Sequence, residues 1–272
     1  MVGMTAHDDT DEKTPYFIRE SATRFRPTRF TGGSWNFEEQ HIAPVVGLIS
    51  HLILSDRDAR HGENKLRMSR LSCDILGTIP IEPFEVEVRV VRPGRTIELV
   101  EATLTHGGRA AVNARAWLVK EFDTADIAAS TVPSIPPAAE MPEWQMDEAW
   151  HGGFIETVEV RRNSAGPGRA QFWLRSTRAL LADEEISTTA RMLSVADVAN
   201  GSATLVSPEE VAFPNLDFTA HLYRVPVGEW LGCDTHVSIG PTGAGLTQSI
   251  LHDSEGPIGT LAQTLTVRPQ HQ

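Results

Sequence analysis

Residues 84 to 119 constrain the fold more than any other stretch of this chain. Three β-type runs lie there in succession: "FEVEVRVV" (84–91), "TIELVEATLTH" (96–106) and "AAVNARAWLV" (110–119). "RPGR" separates the first two and "GGR" the last two. Runs broken by glycine and proline turns at this spacing predict an antiparallel meander. Ahead of it, "EEQHIAPVVGLISHLILS" (38–55) carries Ile42, Val45, Val46, Ile49, Leu52 and Ile53 at helical spacing. Ala43 and Gly47 thicken that apolar side, so the predicted helix is mostly enclosed. A long apolar helix followed by a meander implies a helix wrapped by a curved sheet.

The second half repeats this order. Strands are predicted at 154–162 and 168–176, then a helix over "STTARMLSVADVANG" (187–201), with Ser187 as its cap and Gly201 at its end. Runs at 218–225, 233–239, 244–252 and 257–267 form a second meander, with "GPTG" and "DSEG" as turns. Between the halves, "EFDTADIAASTVPSIPPAAEMPEWQMDEAW" (121–150) holds four prolines and little periodicity, and reads as a linker. The expected units are therefore 14–120 and 151–269, joined by 121–150. Laying "GGRAAVNARAWLV" over "EGPIGTLAQTLTV" sets Ala114 on Ala262 and Arg115 on Gln263, an offset of 263 − 115 = 148.

Gln263 raises a chemical question. In the strand "GTLAQTLTV" it shares a face with Leu261, Leu265 and Val267. A buried amide without partners costs about 1–3 kcal/mol. Gln263 is thus either a satisfied core or edge glutamine or an amide that positions a water or a carbonyl at a reaction site.

Bulk properties narrow the partners. The 272 residues carry 24 basic and 36 acidic side chains, a net charge of 24 − 36 = −12. That argues against nucleic acid or an anionic membrane surface, both of which need a basic footprint. Cys73 and Cys233 form no Cys-x-x-Cys pair, which fits a reducing compartment. The start "MVGMTAHDDTDEKT" lacks an apolar signal core, "RPQHQ" at the end is no recognised sorting signal, and no apolar run is long enough to span a bilayer. Cytoplasm is the expected location.

The C-terminal pieces "FPNLDFTAHLYRVPVGEWL", "DTHVSIGPTGAG" and "LHDSEGPIGTLAQTLTV", with "RVVRPGRTIELVEATLTHGGRAAVNARAWLV" in the first half, resemble the double-hotdog acyl-CoA thioesterases, the type II enzymes and their actinobacterial relatives. The resemblance implies an α+β fold of two fused hotdog domains, each a long apolar helix wrapped by a curved antiparallel sheet. It implies hydrolysis of an acyl-CoA thioester by a water held between an Asp, a Thr or Ser, and a Gln. Carried over residue by residue, Asp217 of "NLDF" matches the Asp, Gln263 of "LAQTL" the Gln, and Ser238 of "THVSIG" the hydroxyl, with Thr235 as the alternative. Asp217 would act as general base, Gln263 would aim the water, and Ser238 would close the network. No cofactor or metal is implied, and exposed strand edges leave room for a homo-oligomer.

One departure stands out. Where the family often has Gly-Gly at the first helix, this chain has Ile42-Ala43 and then Pro44, which removes a backbone donor. Pro44 also reads simply as a favourable first-turn proline. Two alternatives follow: a non-catalytic protein that binds acyl-CoA or an acyl carrier, and a hotdog hydratase or dehydratase. The latter needs an Asp–His pair, and "FPNLDFTAH" has those elements in the wrong order.

Other patterns carry less. "GPTGAGLT" (240–247) has Leu246 where a phosphate loop needs lysine, and reads as a glycine hairpin. His221, His236 and His252 lack metal-ligand spacing. No G-x-S-x-G elbow exists. Asp197 on the second helix reads as helix polarity, packing or support for the site, and Asp217 also reads as a strand-start acid. Arg92, Arg95, Arg161 and Arg162 suit coenzyme A phosphates or a solvated strand face.

Overall fold

The structure, a computed structural model, describes residues 13–62 and 66–270. The first twelve residues and the last two, on which the readings of the chain ends partly rest, lie outside the described residues. Chain order is Phe17–Arg19 (β1), Arg24–Pro27 (β2), Ile42–His61 (α1), Leu66–Ile75 (β3), Phe84–Arg92 (β4), Ile97–His106 (β5) and Arg109–Lys120 (β6). Val158–Ser164 (β7), Arg169–Ser176 (β8), Thr188–Ala196 (α2), Ala199–Ser202 (α3) and Val211–Ala212 (β9) follow. Asp217–Leu222 (β10), Leu231–Ile239 (β11), Ala244–Asp253 (β12), Gly256–Thr266 (β13) and Arg268–Pro269 (β14) complete it.

Twelve strands form one sheet in the order β1-β2-β4-β5-β6-β3-β10-β13-β12-β11-β8-β7, while β9 and β14 pair separately. Its main ladders are antiparallel. The sheet divides into an N-terminal and a C-terminal meander that meet where β3 pairs with β10, Phe218 opposite Cys73. This is the expected pair of fused hotdog units.

The ladder β3 makes had no counterpart in the sequence reading. Its inward residues Leu66, Met68, Leu71 and Cys73 break step between Met68 and Leu71, because the pairing with β6 slips between Met68 and Arg70. A bulge of this kind erases the two-residue period that marks a strand.

Helix α1 starts four residues later than expected and runs on to His61. Its N-cap is His41, whose ring accepts the Ala43 N–H, and Pro44 sits in the first turn. Past the apolar stretch, the Arg60–Asp56 pair supports one more turn, and Gly62 (φ +55°) ends it. The second helix is capped by Ser187 as expected but divides into α2 and α3, so Gly201 lies within α3 and does not end it. Helices α1 and α2 pack directly on each other. A side chain at Gly47 would place its Cβ 2.3 Å from the Ser194 Cβ, so glycine is what allows the approach. Among the described residues, no helix is long and apolar enough to cross a membrane.

The repeat is real but its offset is 149, since 263 − 114 = 149. Ala114 on β6 stands opposite Cys73. Continuing the β10–β13 register one step beyond Thr219↔Ala262 puts Gln263 opposite Phe218, the partner of Cys73. Ala114 is fully buried at the place where Gln263 stands in the other half. Arg115 points outward and pairs with Glu101, which Arg89 also holds. From Ile135 on, the segment read as a linker is packed: Ile135 and Met141 lie against Trp173, while Met146 and Trp150 join the main core.

Candidate active site

Asp197 is the C-cap of α2, where the chain turns into α3. A helix end leaves carbonyls unpaired and concentrates negative partial charge. Two side-chain amides meet it there. Asn215 Nδ2 and Gln263 Nε2 each donate to Asp197 Oδ1 at 2.8 Å, and Gln263 Nε2 also reaches the Asp197 carbonyl at 3.3 Å. Gln263 is fully buried, and its Oε1 has no hydrogen-bond partner.

Asp197 is 5% exposed. Burial pushes its carboxyl up to about 7, against the downward pull of the Asn215 and Gln263 amides. Its Oδ2 lies 3.7 Å from His41 Nδ1. Burial lowers His41 to about 4. Between those values both groups are uncharged, so their approach is no ion pair. Because His41 Nδ1 accepts the Ala43 N–H, the neutral ring carries its proton on Nε2.

Asp197, Asn215 and His41 line a cavity of about 360 Å³ at the junction of the two halves. The N-terminus of α1 borders it through His41 and Ile42. The helix-start amides can be followed one by one. His41 N–H bonds to the Thr31 carbonyl, Ala43 N–H to the His41 ring, and Pro44 has none. That leaves Ile42 N–H as the first-turn donor for a ligand atom.

Of the three residues expected to converge, only Gln263 brings its side chain to this cluster; Asp217 joins it through its carbonyl, which accepts from Asn215 Nδ2 at 3.0 Å. Alternation on β10 turns Phe218 inward and Asp217 outward. The bridge Asn215↔Leu265 and the pair Thr219↔Ala262 differ by one residue, a bulge on the β10 side. The Asp217 carboxylate accepts the Thr264 N–H there at 2.6 Å. Ser238 is exposed on β11, which β12 separates from β13. Thr235 is buried, with its hydroxyl bonded to Ser249 at 2.7 Å. The inward hydroxyl in the Gln263 row is Thr247, 3.4 Å from Asn200 Oδ1.

The motif "NLDF" thus brings Asn215, and not the Asp217 carboxylate, to the Asp197 side chain. Asn215 stands two positions before Asp217 in "NLDF". Asp197 was legible as an acid on an apolar helix, whereas no pattern in the sequence singled out Asn215 or His41. Arg92, Arg95, Arg161 and Arg162 do not line the cavity. Arg162 binds the Ser202 carbonyl and lies over Trp144, and Arg161 pairs with Glu143. "GPTGAG" is a hairpin turn with Gly243 at φ +90°.

No curated protein sequence gives a significant match. Among solved structures, a hot dog fold protein from Alicyclobacillus acidocaldarius superposes with a TM-score of 0.73 at 14% identity, covering 97% of this chain and 99% of that one. An acyl-CoA thioesterase II from Mycobacterium marinum superposes with a TM-score of 0.65 at 17% identity, covering 94% and 96%. At such identities these likenesses establish the fold. The family models go further: the acyl-CoA thioesterase N-terminal domain matches residues 32–119, and the acyl-CoA thioesterase C-terminal domain matches residues 133–267. With both halves matched in order, the chain belongs to the acyl-CoA thioesterase family in its two-domain, double-hotdog form.

Proposed function

We propose that the protein hydrolyses acyl-CoA thioesters with Asp197 as general base. The observation that carries this reading is the loading of one carboxylate oxygen. Asn215 and Gln263 both donate to Oδ1, which leaves Oδ2 for a water in the cavity. A carboxyl raised to about 7 is half ionised near neutral pH, and it accepts a proton far better than an ordinary carboxylate. Asp197 Oδ2 takes a proton from water as the oxygen attacks the thioester carbonyl. Ile42 N–H, at the positive end of α1, hydrogen-bonds the resulting oxyanion. The C–S bond then breaks, and the proton on Asp197 passes to the departing coenzyme A sulfur. A thioester is reactive enough that no covalent nucleophile is needed. Asn215 and Gln263 fix the carboxylate and stabilise its anion.

A thiol-release assay on a panel of acyl-CoAs tests this. Turnover that Asp197→Asn abolishes, while Asp217→Asn and Ser238→Ala retain it, supports the assignment. Equal loss in Asp217→Asn would return the base to Asp217.

One observation favours a second reading. His41 and Asp197 stand together in the cavity, and hydration of an enoyl thioester needs such an Asp–His pair. Water addition to an enoyl-CoA, lost in His41→Asn and unaccompanied by thiol release, would support that reading.

A further inference from the structure

The cavity has a deep end and a mouth. Trp35, Leu76 and Leu216 at its rim are 43%, 55% and 49% exposed, whereas Met146, Trp150 and Ile155 are buried. Asp197 lies among the buried lining residues, so a thioester reaching it directs its acyl group inward and its coenzyme A arm toward the rim.

Three sets of contacts border the deep end. Between the helices, the contact of Gly47 with Ser194 leaves no passage. Behind Asp197, between helices and sheet, Gln263, Phe218, Leu48, Ile49, Ala190 and Ala196 are fully buried. On the third side stands Trp150. Its Nε1–H donates to the Gly201 carbonyl at 3.0 Å, and its indole lies so close over Gly201 that an added Cβ would come within 3.1 Å of Nε1. Trp35 and Phe213 brace it edge-on, with ring centroids 5.1 and 5.8 Å away. Met146 and Trp150 precede β7, so the end wall is supplied from outside both meanders. Ligand pockets typically span about 300–1,000 Å³. This one, at about 360 Å³, lies at the low end and must hold the thioester and part of the pantetheine arm as well as the acyl group.

We propose that the substrate acyl group is compact, short-chain or aryl, and that Trp150 sets its length limit. This rests on the thioester-hydrolase reading. The test compares the CoA esters of acetate, hexanoate, benzoate and palmitate on the full chain, reading kcat/KM by thiol release. The compact esters turn over best, with palmitoyl-CoA lower by about tenfold or more. Trp150→Ala and, separately, Met146→Ala raise the relative rate on palmitoyl-CoA by a similar factor, in variants whose cooperative melting shows that they fold. Palmitoyl-CoA as the best wild-type substrate overturns the proposal, as do folded variants with an unchanged chain-length profile. Binding of S-alkyl-CoA thioethers, which cannot be hydrolysed, separates the two levels. Tight binding of short thioethers and weak binding of the hexadecyl one, with no ester turned over, keeps the compact cavity and removes the hydrolase reading. The opposite order of affinities removes the compact cavity whatever the turnover.

Discussion

The two halves share one architecture and differ where chemistry would sit. In the C-terminal half the inner face of β13 presents Gln263, which donates to Asp197 at the end of α2. At the matching place on β6, the N-terminal half presents Ala114. The buried stretch of α1, Ala43 to Leu54, holds no carboxylate, and its acids Asp56 and Asp58 come later, near its C-terminus. The N-terminal half instead brings the start of α1 to the cavity, with the His41 ring and the Ile42 amide. In the proposed mechanism the duplicated frame divides its work: one half supplies the carboxylate and its amides, the other a helix N-terminus. A buried carboxylate is costly to keep, so one half carrying it and the other packing alanine is the stable arrangement.

The largest effect expected from breaking this asymmetry is at Asp197. Asp197→Asn keeps an acceptor for both amides but removes the base, and turnover falls by about 10²–10⁴-fold. Its stability moves the other way. Because the folded-state pKa lies above the ordinary carboxylate value, the protonated form favours folding. That contribution is complete below about pH 4 and is lost as pH rises through 7, a change on the order of 4 kcal/mol. Denaturant unfolding at pH 8 should therefore find Asp197→Asn more stable than the wild type, with the gap closing at pH 4.

Gln263→Leu comes next. It preserves shape and removes a hydrogen bond to a charged group, about 1.5–3 kcal/mol, so kcat/KM drops roughly 10- to 100-fold. The mirror experiment, Ala114→Gln, buries an amide where the N-terminal half has no carboxylate to receive it. Unfolding should show a loss of about 1–3 kcal/mol, with the pH dependence of turnover unchanged. The smallest effect falls on Arg115→Ala. The Arg115 side chain is 57% exposed and Arg89 still holds the buried Glu101 carboxylate, so removing it should change stability by less than about 1 kcal/mol and leave turnover intact.

Arg115 also shows how far the sequence could be read. The order of elements, the turns and the buried helix were visible in hydrophobic period and in glycine and proline placement. The alignment of Arg115 with Gln263 missed by one residue, and in a strand one residue turns a side chain to the other face. Parity was equally hidden at Asp217, where a bulge between Asn215 and Thr219 turns the strand-start acid to the Thr264 backbone. Strand β3 was hidden by its own slip at Ser69. Asp197 was visible as an acid in an apolar helix. Its role depends on where α2 breaks, which capping residues alone do not reveal.

The pH dependence of kcat/KM for a compact acyl-CoA tests the central claim most directly, in the wild type and in Gln263→Leu. The wild type should show one rising limb with an apparent pKa near 7, and loss of the Gln263 donor should move that limb to higher pH. A limb in the ordinary carboxylate range, or one that Gln263→Leu leaves in place, would contradict Asp197 as the base.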